Sequence, residues 1–140
     1  LTIEEEFISQ KSAKKKKTQI SANQRKGQQK FRDEILNAYD NKCAITGIND
    51  KYALEAAHIE NYINEKSNHI KNGICLRADI HKLFDQNLIG INGDFKLFIS
   101  PKLKDKEYTK FKNKKINLPK NKDFQPLKKL LAEKFKSFRR

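Results

Sequence analysis

The chain has no tryptophan, no methionine, two cysteines, three prolines and five glycines in 140 residues. Cys43 and Cys75 are too few for a disulfide scaffold or for a complete cysteine-based zinc site, so neither is expected. No apolar run approaches the ~18 residues a membrane-spanning helix needs, so no membrane partner is expected either. A charged-then-apolar leader is also missing after Leu1, and the chain therefore reads as a fragment of a longer intracellular protein. Apolar residues make up only 36% of the whole, yet this length suits one domain able to bury a core without covalent cross-links.

What the chain has in excess is positive charge. Lysine and arginine total 31 against 17 aspartate and glutamate, a net of +14, which points to a polyanionic partner. Residues 1–40 carry nine basic and six acidic side chains, and residues 41–100 carry seven of each. Residues 101–140 carry fifteen against four, so +11 of the excess sits there. A neutral middle with a basic extension suggests chemistry in one part and phosphate contact in the other.

Along the chain, residues 1–20 mix Glu4–Glu6 with Lys14–Lys17 and read as a linker or the end of a preceding domain. Phe31, Ile35 and Tyr39 recur four apart after Ser21, which predicts a helix ending near Asp40-Asn41. Cys43–Gly47 reads as a short extended piece closing in a turn at Gly47. A strand follows over 53–59, then a polar loop over 60–71, a strand at Gly73–Leu76 and a compact helix from Asp79 to about Gln86. Asn92-Gly93 predicts a tight hairpin turn between Asn87–Ile91 and Phe95–Ile99. Residues 102–122 have few apolar anchors and read as irregular surface. Leu127, Leu130, Leu131, Phe135 and Phe138 predict a final amphipathic helix with lysine and arginine on its other face.

Three polar features fall in the neutral middle: His58 at a strand end, Asn72 after a loop, and His81 on a short helix with Asp85 four residues on. Positions i and i+4 share a helix face, so His81 and Asp85 can converge on one cation. Taken with Arg25-Lys26-Gly27-Gln28, Phe31-Arg32, Cys43–Gly47, Leu54–Ile59, Asn72-Gly73, Leu76-Arg77 and Asp79–Asp85, the pattern resembles the HNH endonucleases, or ββα-metal nucleases. The similarity is to the branch found in bacterial restriction enzymes and covers roughly residues 22–100.

That resemblance implies an α+β fold: a ββα-metal core with a preceding helix, a following β-hairpin and a basic C-terminal helix. It implies an HNH nuclease domain over 21–100 and a basic extension over 101–140 that packs on it. The implied activity is metal-dependent hydrolysis of DNA phosphodiester bonds, leaving a 3′-hydroxyl and a 5′-phosphate, as the cleavage module of a restriction or defence enzyme in the bacterial cytoplasm. His58 matches the general base and Asn72 the residue that fixes its ring by a hydrogen bond. His81 and Asp85 match the ligands of one divalent ion, Mg²⁺ first, with Mn²⁺, Ni²⁺ or Zn²⁺ as alternatives. Arg77, Lys82, Arg25 and Lys26 are candidates for DNA contact. A specificity domain elsewhere in the full-length chain is expected, and a homodimer is open because one site cuts one strand.

Two departures bear on this. Many HNH proteins carry a ligand directly before the base, and here that residue is Ala57. Either His81 and Asp85 suffice with water and phosphate, or Glu55 or Asp79 contributes, or His58 is itself a ligand. Taken locally, Asp79 reads as a helix cap and Glu55 as a solvent-face or structural residue. Many relatives also bind a structural zinc through two Cys-x-x-Cys pairs, and this chain has one cysteine at each place, so no structural zinc is expected. Ala57 keeps an alternative open, a nucleic-acid-binding module that retains the fold without catalysis.

Overall fold

The computed structural model describes residues 2–6 and 21–138. Lys14–Lys17 and most of the presumed linker lie outside them. Helix α1 (Ala22–Ala38) begins where the Ser21 hydroxyl accepts the Gln24 N–H at 3.1 Å. It stops because Asp40 and Asn41 take left-handed φ angles of 54° and 55°, which short polar side chains tolerate. Its buried stripe is the expected one: Phe31, Ile35, Leu36 and Tyr39.

Strand β1 (Leu54–His58) pairs antiparallel with β2 (Gly73–Arg77), His58 opposite Gly73 and Leu54 opposite Arg77. Helix α2 (Ala78–Asp85) follows at once and buries Ile80 and Phe84. Two layers thus cover the β1–β2 ribbon. Because side chains alternate along a strand, His58 and Gly73 turn toward α1 while Glu55 and Ala57 turn toward α2. The α1 face leaves no room at Gly73: an added Cβ would lie 2.5 Å from Ile35 Cδ1 and 2.7 Å from Phe31 Cζ. Gly73→Ala is therefore expected to cost about 1–3 kcal/mol, read as a lower thermal midpoint, and an unchanged midpoint would contradict this packing.

Cys43–Gly47 is a turn, not an extended piece. The Gly47 N–H returns to the Cys43 carbonyl at 2.9 Å, with Gly47 at φ 75°. Cys43 Sγ accepts the N–H of Thr46 at 3.4 Å and of Arg77 at 3.3 Å, and the Ala44 N–H bonds the Cys75 carbonyl. The turn closes on its own first residue and is pinned to β2, which leaves no backbone free for a strand. Both cysteines are free and buried, and burial, then the neighbouring Cys43, pushes the Cys75 thiol up to about 12.

The hairpin β3 (Ile89–Ile91) and β4 (Leu97–Ile99) is present, but Asn92-Gly93 does not form its two-residue turn. Residues 92–96 bridge the strands. Asn92 Oδ1 accepts the N–H groups of Asp94 and Lys96, and Phe95 takes the positive φ. The asparagine therefore acts through its side chain, and Lys128 Nζ sits 5.6 Å from the centre of the Phe95 ring.

Residues 102–122 are also more ordered than their composition suggested. Helix α3 (Lys106–Thr109) lies within them, Ile116 is buried, and the chain from Asn113 to Ile116 hydrogen-bonds to Phe95 and Leu97, adding an edge to β4. Helix α4 (Lys128–Phe138) buries Leu131 and lays Phe138 over Gly90 of β3. Among the described residues no helix is long and apolar enough to cross a membrane.

Candidate active site

Helical spacing and strand alternation bring two carboxylates and an imidazole into line on the α2 face of β1. Glu55 Oε1 lies 2.7 Å from His81 Nδ1, and His81 Nε2 lies 3.1 Å from Asp85 Oδ2. His81 is largely covered, its side chain 23% exposed, whereas the two carboxylates face solvent. The pairing of His81 with Asp85 is the one their spacing predicts. Glu55 occupies the face of Ala57, one strand repeat earlier, so the side chain missing at Ala57 has an acidic neighbour on the same side. The alternation of the strand could have shown this from sequence.

These contacts constrain what lies between the groups. If the Nδ1–H is donated to Glu55 and the ring is neutral, the Nε2 lone pair points at a carboxylate oxygen. A proton or a cation between them removes that repulsion. A carboxylate holding the far N–H of a ligating imidazole is also the usual way such a ring is oriented. The donor set thus fits one divalent ion on His81 Nε2 and Asp85, with Glu55 behind the ring. Among the described residues no three histidine, cysteine, aspartate or glutamate side chains surround a single point. Glu55 and Asp85 sit on opposite edges of the imidazole, so water and phosphate oxygens would complete the shell.

His58 lies on the other face. Its ring stacks on Phe31 at 4.3 Å and 6° between planes, with Tyr62 tilted beside it at 5.8 Å. Its Nε2 meets Asn68 Oδ1 at 2.9 Å. An amide oxygen only accepts, so Nε2 carries the proton and a neutral ring keeps its lone pair on Nδ1. The expected partner, Asn72, is elsewhere: buried in the loop, it accepts the Glu60 N–H at 2.8 Å and donates to the carbonyls of Glu60 at 3.1 Å and Ser67 at 2.9 Å. Asn72 is a staple for residues 60–67, and Asn68 orients the ring. Sequence reasoning passed over Asn68 because it is one of several asparagines in a polar loop. His58 and His81 face opposite sides of the ribbon, and the Asn72 side chain bonds loop backbone and neither histidine. His69 is exposed and caps the turn Ile70–Asn72 by accepting the Lys71 N–H.

The candidate phosphate contacts divide. Arg77 is engaged: its Nε and Nη2 donate to the Asp79 carboxylate at 2.6 and 3.0 Å, and the Tyr108 hydroxyl donates to the same group at 2.8 Å. Arg77 foremost, and Tyr108 after it, hold the Asp79 carboxyl below the usual carboxylate range. Asp79 is thus engaged by Arg77 and Tyr108, and its carboxylate also accepts from the Ile80 backbone N–H in the first turn of α2, as expected of a residue there. The α2 cap position is Arg77, with no side-chain cap bond. Lys82, Arg25 and Lys26 are exposed, the first on α2 and the others on α1. Between the end of β1 and the end of α2 a cleft of about 560 Å³ opens, with Ile59, Glu60, Asn61 and Asp85 on one side and α4 on the other.

Comparison with known proteins agrees with this architecture. The family profile described as HNH endonuclease matches residues 43–92. A solved structure described as a modification dependent TagI restriction endonuclease superposes with a TM-score of 0.54 at 14% identity, covering 77% of this chain and 37% of that one. This chain thus spans well under half the length of that protein. No curated protein matches it.

Proposed function

We propose, from the match of residues 43–92 to the HNH endonuclease family, that this chain is a metal-dependent endonuclease module that hydrolyses DNA phosphodiester bonds. The observation that carries the reading is the line Glu55–His81–Asp85 on the α2 face. His81 Nε2 and Asp85 would hold one divalent ion, Mg²⁺ or Mn²⁺ suiting the carboxylate and water positions best. When bound, that ion supplies charge neutralisation at the phosphate and at the leaving 3′-oxygen. Glu55 fixes the imidazole ring. His58, oriented by Asn68, takes a proton from the attacking water on Nδ1, a task suited to a neutral imidazole near neutral pH. The products are a 3′-hydroxyl and a 5′-phosphate.

In this reading residues 21–100 are the nuclease domain and 101–140 a basic extension that holds backbone phosphate, joined by Lys82, Arg25 and Lys26. Arg77 serves α2 through Asp79. The same reading gives the module a restriction or defence role in the bacterial cytoplasm, with targeting supplied by a further domain and the second strand cut by a second copy. The structural neighbour, a restriction endonuclease by name, supports it.

A plasmid-nicking assay tests the proposal. The parent is expected to nick supercoiled DNA with Mg²⁺ or Mn²⁺ and to stop on chelation, and His58→Ala is expected to cut roughly 100-fold more slowly. Cutting that survives loss of His58 undiminished would exclude it as the base. A second reading, a binding module without catalysis, is favoured by one observation: Ala57 in place of a ligand. It expects DNA binding with no nicking under any metal.

A further inference from the structure

The cleft beside Asp85 is closed on its far side by α4, part of the segment that composition alone marks as a general basic tail. Among its residues Lys134 stands apart. Its Nζ lies over the face of the Phe84 ring, 4.6 Å from the centroid, and Phe84 is a core residue one position before Asp85. Among the described residues no carboxylate is within ion-pair distance of Lys134, whereas Lys136 on the same helix pairs with Glu133 at 2.9 Å. Burial disfavours the Lys134 ammonium, and Asp85 pulls the other way. A half-buried cation with an aromatic face on one side and an open cleft on the other lacks an anionic oxygen.

We propose that Lys134 binds the phosphate that lies at Asp85, so that α4 contributes a specific contact to the cleavage centre as well as diffuse charge. The inference rests on the nuclease reading for where the scissile phosphate lies, but not for whether Lys134 meets phosphate at all. A DNA phosphate entering between the ends of β1 and α2 would be flanked by Asp85 and its ion on one side and by Lys134 on the other. The exposed lysines of the tail add affinity through counterion release, whereas Lys134 is half-buried at the cleft and lies nearer its ring than any other lysine–ring pair among the described residues.

The test uses the full chain with Lys134→Gln, Lys134→Met, which keeps an aliphatic stem on Phe84, and Lys134→Arg. Binding to a short DNA duplex with Ca²⁺ is followed by anisotropy across a salt series, and single-turnover cutting at saturating protein with Mg²⁺ or Mn²⁺. For the glutamine and methionine variants we expect the slope of log K against log salt to flatten by about 0.9, at a parent-like melting temperature. The saturating cutting rate should fall roughly 10- to 100-fold, with arginine restoring most of it. Parent-like slope and rate in both uncharged variants overturn the proposal, as does an arginine variant no better than glutamine. Should the parent itself fail to cut under any metal, the nuclease reading is lost, and the salt slope alone decides whether Lys134 meets phosphate.

Discussion

Replacing His81 by alanine is expected to abolish metal-dependent cutting while leaving the fold standing. Among the described residues the imidazole alone touches both Glu55 and Asp85, so on the proposed function its loss would remove a ligand and disconnect the two carboxylates. Losing transition-state charge stabilisation of about 4 kcal/mol slows cutting roughly a thousandfold. Stability should barely change, because both partners of His81 are solvent-exposed and such pairs contribute at most about 1 kcal/mol. Calorimetric titration with Mn²⁺ should show the parent's binding isotherm vanish in the variant. An unaltered isotherm would move the ion away from α2 altogether.

Asn72→Ala is expected to act in the opposite way, through the fold first. At 6% exposure Asn72 makes three hydrogen bonds, all to loop backbone, and alanine leaves the Glu60 N–H and the carbonyls of Glu60 and Ser67 without that partner. A cost of about 3 kcal/mol follows, or on the order of 10 °C in melting temperature for a domain of this size. Asn72→Asp should be nearly as damaging, since it keeps the acceptor for Glu60 N–H but sets a negative charge against two carbonyls. A variant that melts like the parent yet cuts nothing would return Asn72 to the chemistry and refute the staple.

The contrast between these two residues marks what was legible in the sequence. Periodicity exposed α1 through Phe31, Ile35 and Tyr39, and i,i+4 spacing exposed His81 with Asp85, because both depend on neighbours within one helix. Glu55 was legible only as one of several possible contributors to the ion's shell, and Asn68 did not stand out. Their partners lie 26 and 10 residues away, and only the β1–β2 pairing and the folded loop bring them together. Residues 102–122 misled for a related reason. Their few apolar side chains suffice once backbone from Asn113 to Ile116 completes the β4 edge, a contribution no side-chain pattern records. Asn92-Gly93 carried a strong turn signal that the Asn92 side chain, bonding Asp94 and Lys96, overrode.

The two-faced strand β1 has a consequence for how such a module is kept safe. His58 and Glu55 are only three residues apart, about 10 Å along an extended chain, yet the sheet stands between the imidazole that would accept a proton and the carboxylates that would gather a cation. In the free protein the two groups lie on opposite faces of the ribbon, and on the proposed function a strand of nucleic acid laid across the end of β1 would join them. On the proposed chemistry the substrate is therefore the missing structural piece of its own reaction, and water is left unprovoked until that piece arrives.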